Sequence, residues 1–193
     1  MGLSPAVSDF EFVFALFGLL LGLTLTEVLA GFARAIEALI RPNNPLRIGW
    51  LTPLLGLFVI LDLLSFWQAA WTGRSFVTVS GLWLLALTGF AGAYYLAAHL
   101  VFPRETEDQI DFDAHFFRVR RIVIGVMLAL LTCQLAWYAS IPKLAAHLTR
   151  PTPLILTGIL AALMIAAMSV RGERWSRAVM LALVGRYLVV YAL

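Results

Sequence analysis

The chain has 193 residues, of which 62% are hydrophobic and 13% are charged, whereas soluble domains average roughly 45–50% apolar and 25% charged residues. A soluble fold of this length cannot bury so much apolar surface, so the composition excludes an ordinary soluble domain. The formal charge of +3 comes from arginines at the ends of apolar segments, and no basic stripe outside these segments indicates a nucleic-acid interface.

Six apolar segments follow one another, each about long enough to cross a bilayer. They are predicted as helices over about 10–40, 48–71, 77–102, 113–141, 153–170 and 175–193. Prolines and asparagines at 41–45 end the first segment. Trp50 and Trp71 bracket the second, as aromatic belts do at the two membrane interfaces. The sequence therefore predicts an all-α polytopic protein, with residues 1–193 forming one transmembrane bundle.

The third and fourth segments are joined by an acidic linker, 103–113, and Asp113 is the expected N-cap of the fourth helix. Asp111, Asp113, His115, Arg118, Arg120 and Arg121 form a candidate cytoplasmic contact set. The alternative is simple helix capping and solvated charge. Metal ligation by Asp111 and His115 lacks further converging ligands, so we predict neither a metal nor another cofactor.

Basic residues are distributed unequally between the two sides of the predicted bundle. With the N-terminus outside, the cytoplasmic side receives Arg34, Arg41, Arg47, Arg104, Arg118, Arg120, Arg121, Arg171, Arg174 and Arg177. The outer side receives Arg74, Lys143 and Arg150. Since cytoplasmic loops carry the excess of basic residues, both termini are predicted to be periplasmic. Lys143 is the only lysine, which favours a GC-rich bacterial genome and hence a bacterial inner membrane.

Ionisable residues inside hydrocarbon are costly and usually face the bundle interior. Asp62 and Arg186 lie at matching depths in the second and sixth segments, and Gln134 lies at a similar level in the fourth. One interpretation is an Asp62–Arg186 ion pair that lines a proton or solute path. The alternatives are a pair that only joins two helices, or an arginine whose side chain reaches the outer surface.

Glu27 follows the run 22–26 in the first segment, and Tyr95 lies at a comparable depth in the third. A carboxyl held by a tyrosine and by threonines is a candidate proton acceptor, while the structural alternative is a hydrogen-bonded node between helices. Gly18 and Gly22 form a GxxxG step, which in a polytopic chain more often packs within the molecule than between copies.

Several enzymatic patterns are incomplete. Ser80 has no mid-membrane histidine to act as its base. His99 and His115 lie too near the membrane edge to be axial haem ligands. Cys133 is the single cysteine and excludes an intrachain disulfide. Whether the chain is an enzyme is left open, with the balance against it.

One set of residues comprises 22–27, then Phe66, Trp67 and Trp71, then 94–98 with Phe102 and Pro103, then 113–118 with Arg120 and Arg121. Together these residues resemble a group of bacterial multi-pass inner-membrane proteins with no assigned activity. The resemblance covers about the first two thirds of the chain, and it implies a membrane class without a mechanism. It directs attention to Glu27, Trp67, Tyr95 and His115.

The sequence favours a small transporter or channel-like protein with a buried carboxylate and arginine interior. The alternative is a non-catalytic sensor, scaffold or accessory subunit that acts through its cytoplasmic linker. The expected partners are the lipid bilayer and either a second copy of the chain or another membrane protein.

Overall fold

The computed structural model describes residues 9–40, 49–76, 80–103, 111–148 and 150–192. Its helices are α1 (Asp9–Ile40), α2 (Leu51–Thr72), α3 (Gly81–Val101), α4 (Phe112–Ser140), α5 (Pro142–Leu148), α6 (Pro151–Ser169) and α7 (Glu173–Ala192). A 3-10 turn, Arg74–Phe76, follows α2.

Every helix except α5 is long and apolar enough to cross a membrane, which confirms the prediction of an all-α polytopic bundle. The short helix α5 was not predicted, because its seven residues lie in what the sequence presents as a connection. The ends of the six long helices differ from the predicted ends by a few residues.

Local capping explains where α3 and α4 begin. The Ser80 hydroxyl accepts a hydrogen bond from the Trp83 backbone N–H at 3.2 Å, so Ser80 is the N-cap of α3. The Asp111 carboxylate accepts bonds from the N–H groups of Asp113 and Ala114. The predicted N-cap, Asp113, is therefore wrong by two residues, because Asp113 is used in a contact with α2 instead.

The six long helices run alternately up and down. The starts of α2 and α4 are joined by the Leu51 N–H, which donates to Asp113 at 3.0 Å, and their far ends by the Tyr138 hydroxyl, which donates to the Ala69 carbonyl. We call the end at which α2, α4 and α7 begin the arginine-rich end. It holds Arg34, Arg118, Arg120, Arg121, Arg171, Arg174 and Arg177, while the opposite end holds Arg74, Lys143 and Arg150.

The α2 helix is the centre of the bundle and packs against α1, α3, α4 and α7. Leu51, Leu55, Phe58 and Val59 on it are fully buried. Large apolar side chains remain exposed on the outer helices, among them Leu82, which is 79% exposed. Such a surface is unfavourable in water and suited to lipid, since lipid tails are as apolar as leucine.

Aromatic rings join α1 to its neighbours. Near its start, Phe14 lies edge-on to Trp67 at 4.7 Å between ring centroids. Near its end, Phe32 lies edge-on to Phe102 at 4.9 Å. The GxxxG step acts only in part as packing between helices, because a methyl group at Gly18 would lie 2.7 Å from the Trp67 ring, whereas one at Gly22 would meet nothing within 4 Å.

Candidate functional site

Asp62 lies near the middle of α2, about 17 Å along the helix from Leu51. Its side chain is 7% exposed. One carboxyl oxygen accepts a hydrogen bond from the Tyr94 hydroxyl of α3, and the other accepts one from the Tyr187 hydroxyl of α7, both at 2.5 Å. Three helices thus meet at one carboxyl, which we call the tyrosine clamp.

Arg186 is at the predicted depth but has a different partner from the predicted one. Its Nη2 donates to the Leu156 carbonyl of α6 at 3.1 Å, and its guanidinium lies 4.9 Å from the centroid of the Tyr187 ring. No ion pair joins Arg186 to Asp62 among the residues that the structure describes. The predicted Asp62–Arg186 ion pair is wrong, because Arg186 donates to the Leu156 carbonyl while Asp62 accepts from the two tyrosines.

Glu27 pairs with His99 across α1 and α3, with 2.9 Å between Oε1 and Nδ1. The side chains are 22% and 30% exposed, respectively. The Tyr95 ring stacks on the His99 ring at 6.1 Å between centroids. The threonines of the preceding run do not hold Glu27, since Thr24 and Thr26 donate to backbone carbonyls of their own helix.

Gln134 does not join Asp62 and Arg186. It lines a cavity of about 310 Å³ between α1, α2, α3 and α4, in the half of the bundle away from the arginine-rich end. Phe66 and Phe90 line the same cavity and also contact the Tyr94 ring, at 5.8 and 5.6 Å between centroids. A layer of aromatic rings therefore lies between the cavity and the tyrosine clamp.

Arg120 is buried, with 4% of its surface exposed. Its Nη1 donates to the Ala167 and Val170 carbonyls at the end of α6 and to the Ser176 hydroxyl of α7. A cation near the carbonyls that end a helix is favourable. Arg120 consequently belongs to the bundle interior, and its prediction as part of an exposed contact set is wrong.

The other members of that set are divided between structural bonds and the surface. Asp113 accepts from the Leu51 N–H and from Arg177, the latter at 3.5 Å. The His115 Nε2 lies 3.1 Å from the Leu100 carbonyl. Arg118 and Arg121 are exposed. In the described parts of the chain, no three His, Cys, Asp or Glu side chains converge as metal ligands would.

No family model matches the chain, and no curated protein and no solved structure is similar to it. The resemblance to bacterial inner-membrane proteins accordingly stays a prediction. The site must be interpreted from its own geometry.

Sequence reasoning did not identify the two clamp tyrosines or the partner of Glu27. Tyr94 and Tyr187 stand directly beside Tyr95 and Arg186, which the sequence does present as candidate polar residues inside the membrane. Buried tyrosines usually find a partner for the hydroxyl group, so a tyrosine at the depth of Asp62 was the available signal. The sequence presents His99 only as a candidate haem ligand. The available signal for His99 was its position one helical turn along α3 from Tyr95.

Proposed function

We propose that this integral membrane protein is a non-catalytic module, a sensor or accessory subunit, that acts through its arginine-rich end. The observation that supports this proposal best is that the Asp62 carboxyl is shut off from water. A carboxyl that carries protons or ions across a membrane needs access to water. Asp62 is 7% exposed and both of its oxygens are already bonded, which favours a joint between helices.

The arginine-rich end supplies the contact surface of this module. Arg121, Arg171 and Arg174 are all exposed there, whereas Arg120 is occupied by carbonyls inside the bundle. Exposed arginines attract anionic lipid headgroups or acidic protein segments. By the positive-inside bias this end faces the cytoplasm, and the use of arginine in place of lysine, with Lys143 the only lysine, favours a bacterial inner membrane.

A flux assay tests the proposal. The full chain is reconstituted in proteoliposomes with entrapped pH- and ion-sensitive dyes, beside empty liposomes and chains carrying Asp62→Asn or Glu27→Gln. We expect wild type and both variants to show the flux of empty liposomes. Flux in wild type that is absent from a folded Asp62→Asn chain would contradict the proposal.

Contact at the arginine-rich end is tested separately. A photo-reactive amino acid replaces Arg174 in the native host, and the matched control places it at Lys143, at the opposite end. We expect a discrete crosslinked product from position 174 that disappears when Arg121 and Arg171 are changed to Glu. Equal products from both positions would contradict a contact surface at this end.

Transport is the second candidate function, and the Glu27–His99 pair favours it. This pair is partly exposed, unlike Asp62, and paired ionisable residues inside a membrane commonly mark ion or solute paths. The same flux assay distinguishes transport from the non-catalytic module. A wild-type proton flux that Glu27→Gln abolishes and Asp62→Asn preserves would support a small transporter in which Glu27 carries the proton.

A further inference from the structure

The cavity in the half of the bundle away from the arginine-rich end has an unusual lining. Seven of its lining residues are aromatic, Phe14, Phe17, Phe66, Trp83, Phe90, Trp137 and Tyr138. None of the described residues around it is charged. Its volume is about 310 Å³, about twice that of an engineered cavity that binds benzene. The space suits a fused or substituted ring.

Four side chains on the cavity wall carry N–H or O–H groups that can form hydrogen bonds, namely Trp83, Trp137, Tyr138 and Gln134. The Tyr138 hydroxyl already donates to the Ala69 carbonyl at 2.8 Å. The Gln134 amide forms no hydrogen bond with any residue that the structure describes. A ligand that fills the cavity removes this amide from water, so the ligand must offer it a hydrogen bond or leave the loss of its solvation uncompensated. Trp83 and Trp137 can only donate, so among these four described lining residues the Gln134 amide is the one unused group that can both donate and accept.

We infer that this cavity binds a neutral, planar aromatic molecule with one hydroxyl or carbonyl oxygen. The ring packs among the aromatic side chains, where ring pairs contribute more than their buried area alone. The oxygen pairs with the Gln134 amide. An acyl chain of a lipid would fill the space but leave this amide unpaired, and a charged ligand would lose its solvation without a counter-charge. The inference does not depend on the proposed function.

Saturation binding tests the inference. The full chain in nanodiscs is titrated with tritiated 1-naphthol, with empty nanodiscs subtracted, and naphthalene and decan-1-ol serve as unlabelled competitors. We expect one saturable site per chain. Naphthalene, which lacks the oxygen, should compete about fivefold less well, the effect of one hydrogen bond. Decan-1-ol, which has the hydroxyl and no ring, should compete less well than 1-naphthol.

Three variants locate the site. Gln134→Leu should weaken the binding of 1-naphthol about fivefold and leave the binding of naphthalene unchanged, since only the hydrogen bond is lost. Ala86→Phe should abolish binding of both, because residue 86 lines the cavity. Ala136→Phe is the matched control on the lipid-facing side of α4 and should bind as wild type does. If Ala86→Phe does not fold, Ala86→Val replaces it.

Three outcomes would overturn the inference. The first is the absence of saturable binding over empty nanodiscs. The second is displacement by decan-1-ol as effective as by 1-naphthol, which would make the cavity a lipid-chain site. The third is a folded Gln134→Leu chain with unchanged affinity for 1-naphthol. None of these results bears on the flux assay, so failure of the inference and failure of the proposed function can be distinguished.

Discussion

At the scale of single residues, the tyrosine clamp shows how a carboxyl is accommodated in the middle of an apolar bundle. A polar group without a hydrogen-bond partner in hydrocarbon is costly, and hydrogen bonds offset that cost. Asp62 receives one such bond from α3 and one from α7. The same side chain that costs free energy to bury thereby fixes the positions of two further helices.

Removal of either clamp hydroxyl should destabilise the protein. Tyr94→Phe and Tyr187→Phe each lose one hydrogen bond to Asp62, and we expect each to lower the free energy of unfolding by about 1–3 kcal/mol. The measurement is equilibrium unfolding in detergent. Tyr191→Phe is the control, since its hydroxyl forms a longer bond of 3.3 Å to the Leu61 carbonyl.

The double variant Tyr94→Phe/Tyr187→Phe gives a stricter test of the tyrosine clamp. The two tyrosines share one carboxyl, so their effects should not add. Unfolding free energies for both single variants that equal the Tyr191→Phe value would show that Asp62 is not held by these hydroxyls.

The clamp also shows what the sequence can predict about a residue in a helix. Depth follows from counting, because each residue advances a helix by about 1.5 Å, and Asp62 does lie at the level of residues 186 and 187. The partner depends on rotation, and one residue changes direction by about 100°. Nothing in the sequence sets that rotation. The sequence therefore predicts Arg186 as the partner of Asp62, whereas the neighbouring Tyr187 forms the bond.

At the scale of elements, Arg120 joins α4 to the junction of α6 and α7. We expect Arg120→Leu to lower the free energy of unfolding by about 2–3 kcal/mol, because the buried Ala167 carbonyl and the partly buried Val170 carbonyl lose a charged donor. Arg121→Leu, at an exposed position, should change stability little. Equal effects of the two substitutions in the same unfolding assay would contradict this role for Arg120.

The contact between α1 and α3 supplies a second test at this scale. A methyl group at Gly31 would overlap the Phe102 ring, so Gly31→Ala should cost about 1–3 kcal/mol through overpacking. Gly22→Ala is the matched control, because nothing lies within 4 Å of the added carbon. It should be neutral or stabilising by up to about 1 kcal/mol through helix propensity. A destabilised Gly22→Ala chain beside an unaffected Gly31→Ala chain would reverse this assignment.

The elements themselves were predictable where apolar length defined them. Six spans follow from six long apolar runs, whereas α5 is too short and polar to be distinguished from a connection. The contact set around 111–121 was predicted as a unit because its charges are adjacent in sequence. Helical geometry separates them, since Arg120 and Arg121 face different sides of α4, one buried and one exposed.

At the scale of the whole molecule, the distribution of basic residues predicts orientation. The structure places seven described arginines at the arginine-rich end, against three basic residues at the other. The excess of Lys and Arg near helix ends marks the cytoplasmic side. Because α1 starts and α7 ends away from the arginine-rich end, both termini should be periplasmic.

Reporter fusions measure this orientation. Alkaline phosphatase, which is active only outside the cytoplasm, should be active when fused after Leu193, and green fluorescent protein at the same position should be dark. The control is a pair of fusions within the linker 103–113, where we expect the reverse. Substitution of Arg118, Arg121, Arg171 and Arg174 by Gln removes four of the charges that set the orientation, so it should produce a mixed population. A fluorescent, phosphatase-negative fusion after Leu193 in the unaltered chain would contradict the orientation and would turn the arginine-rich end toward the periplasm.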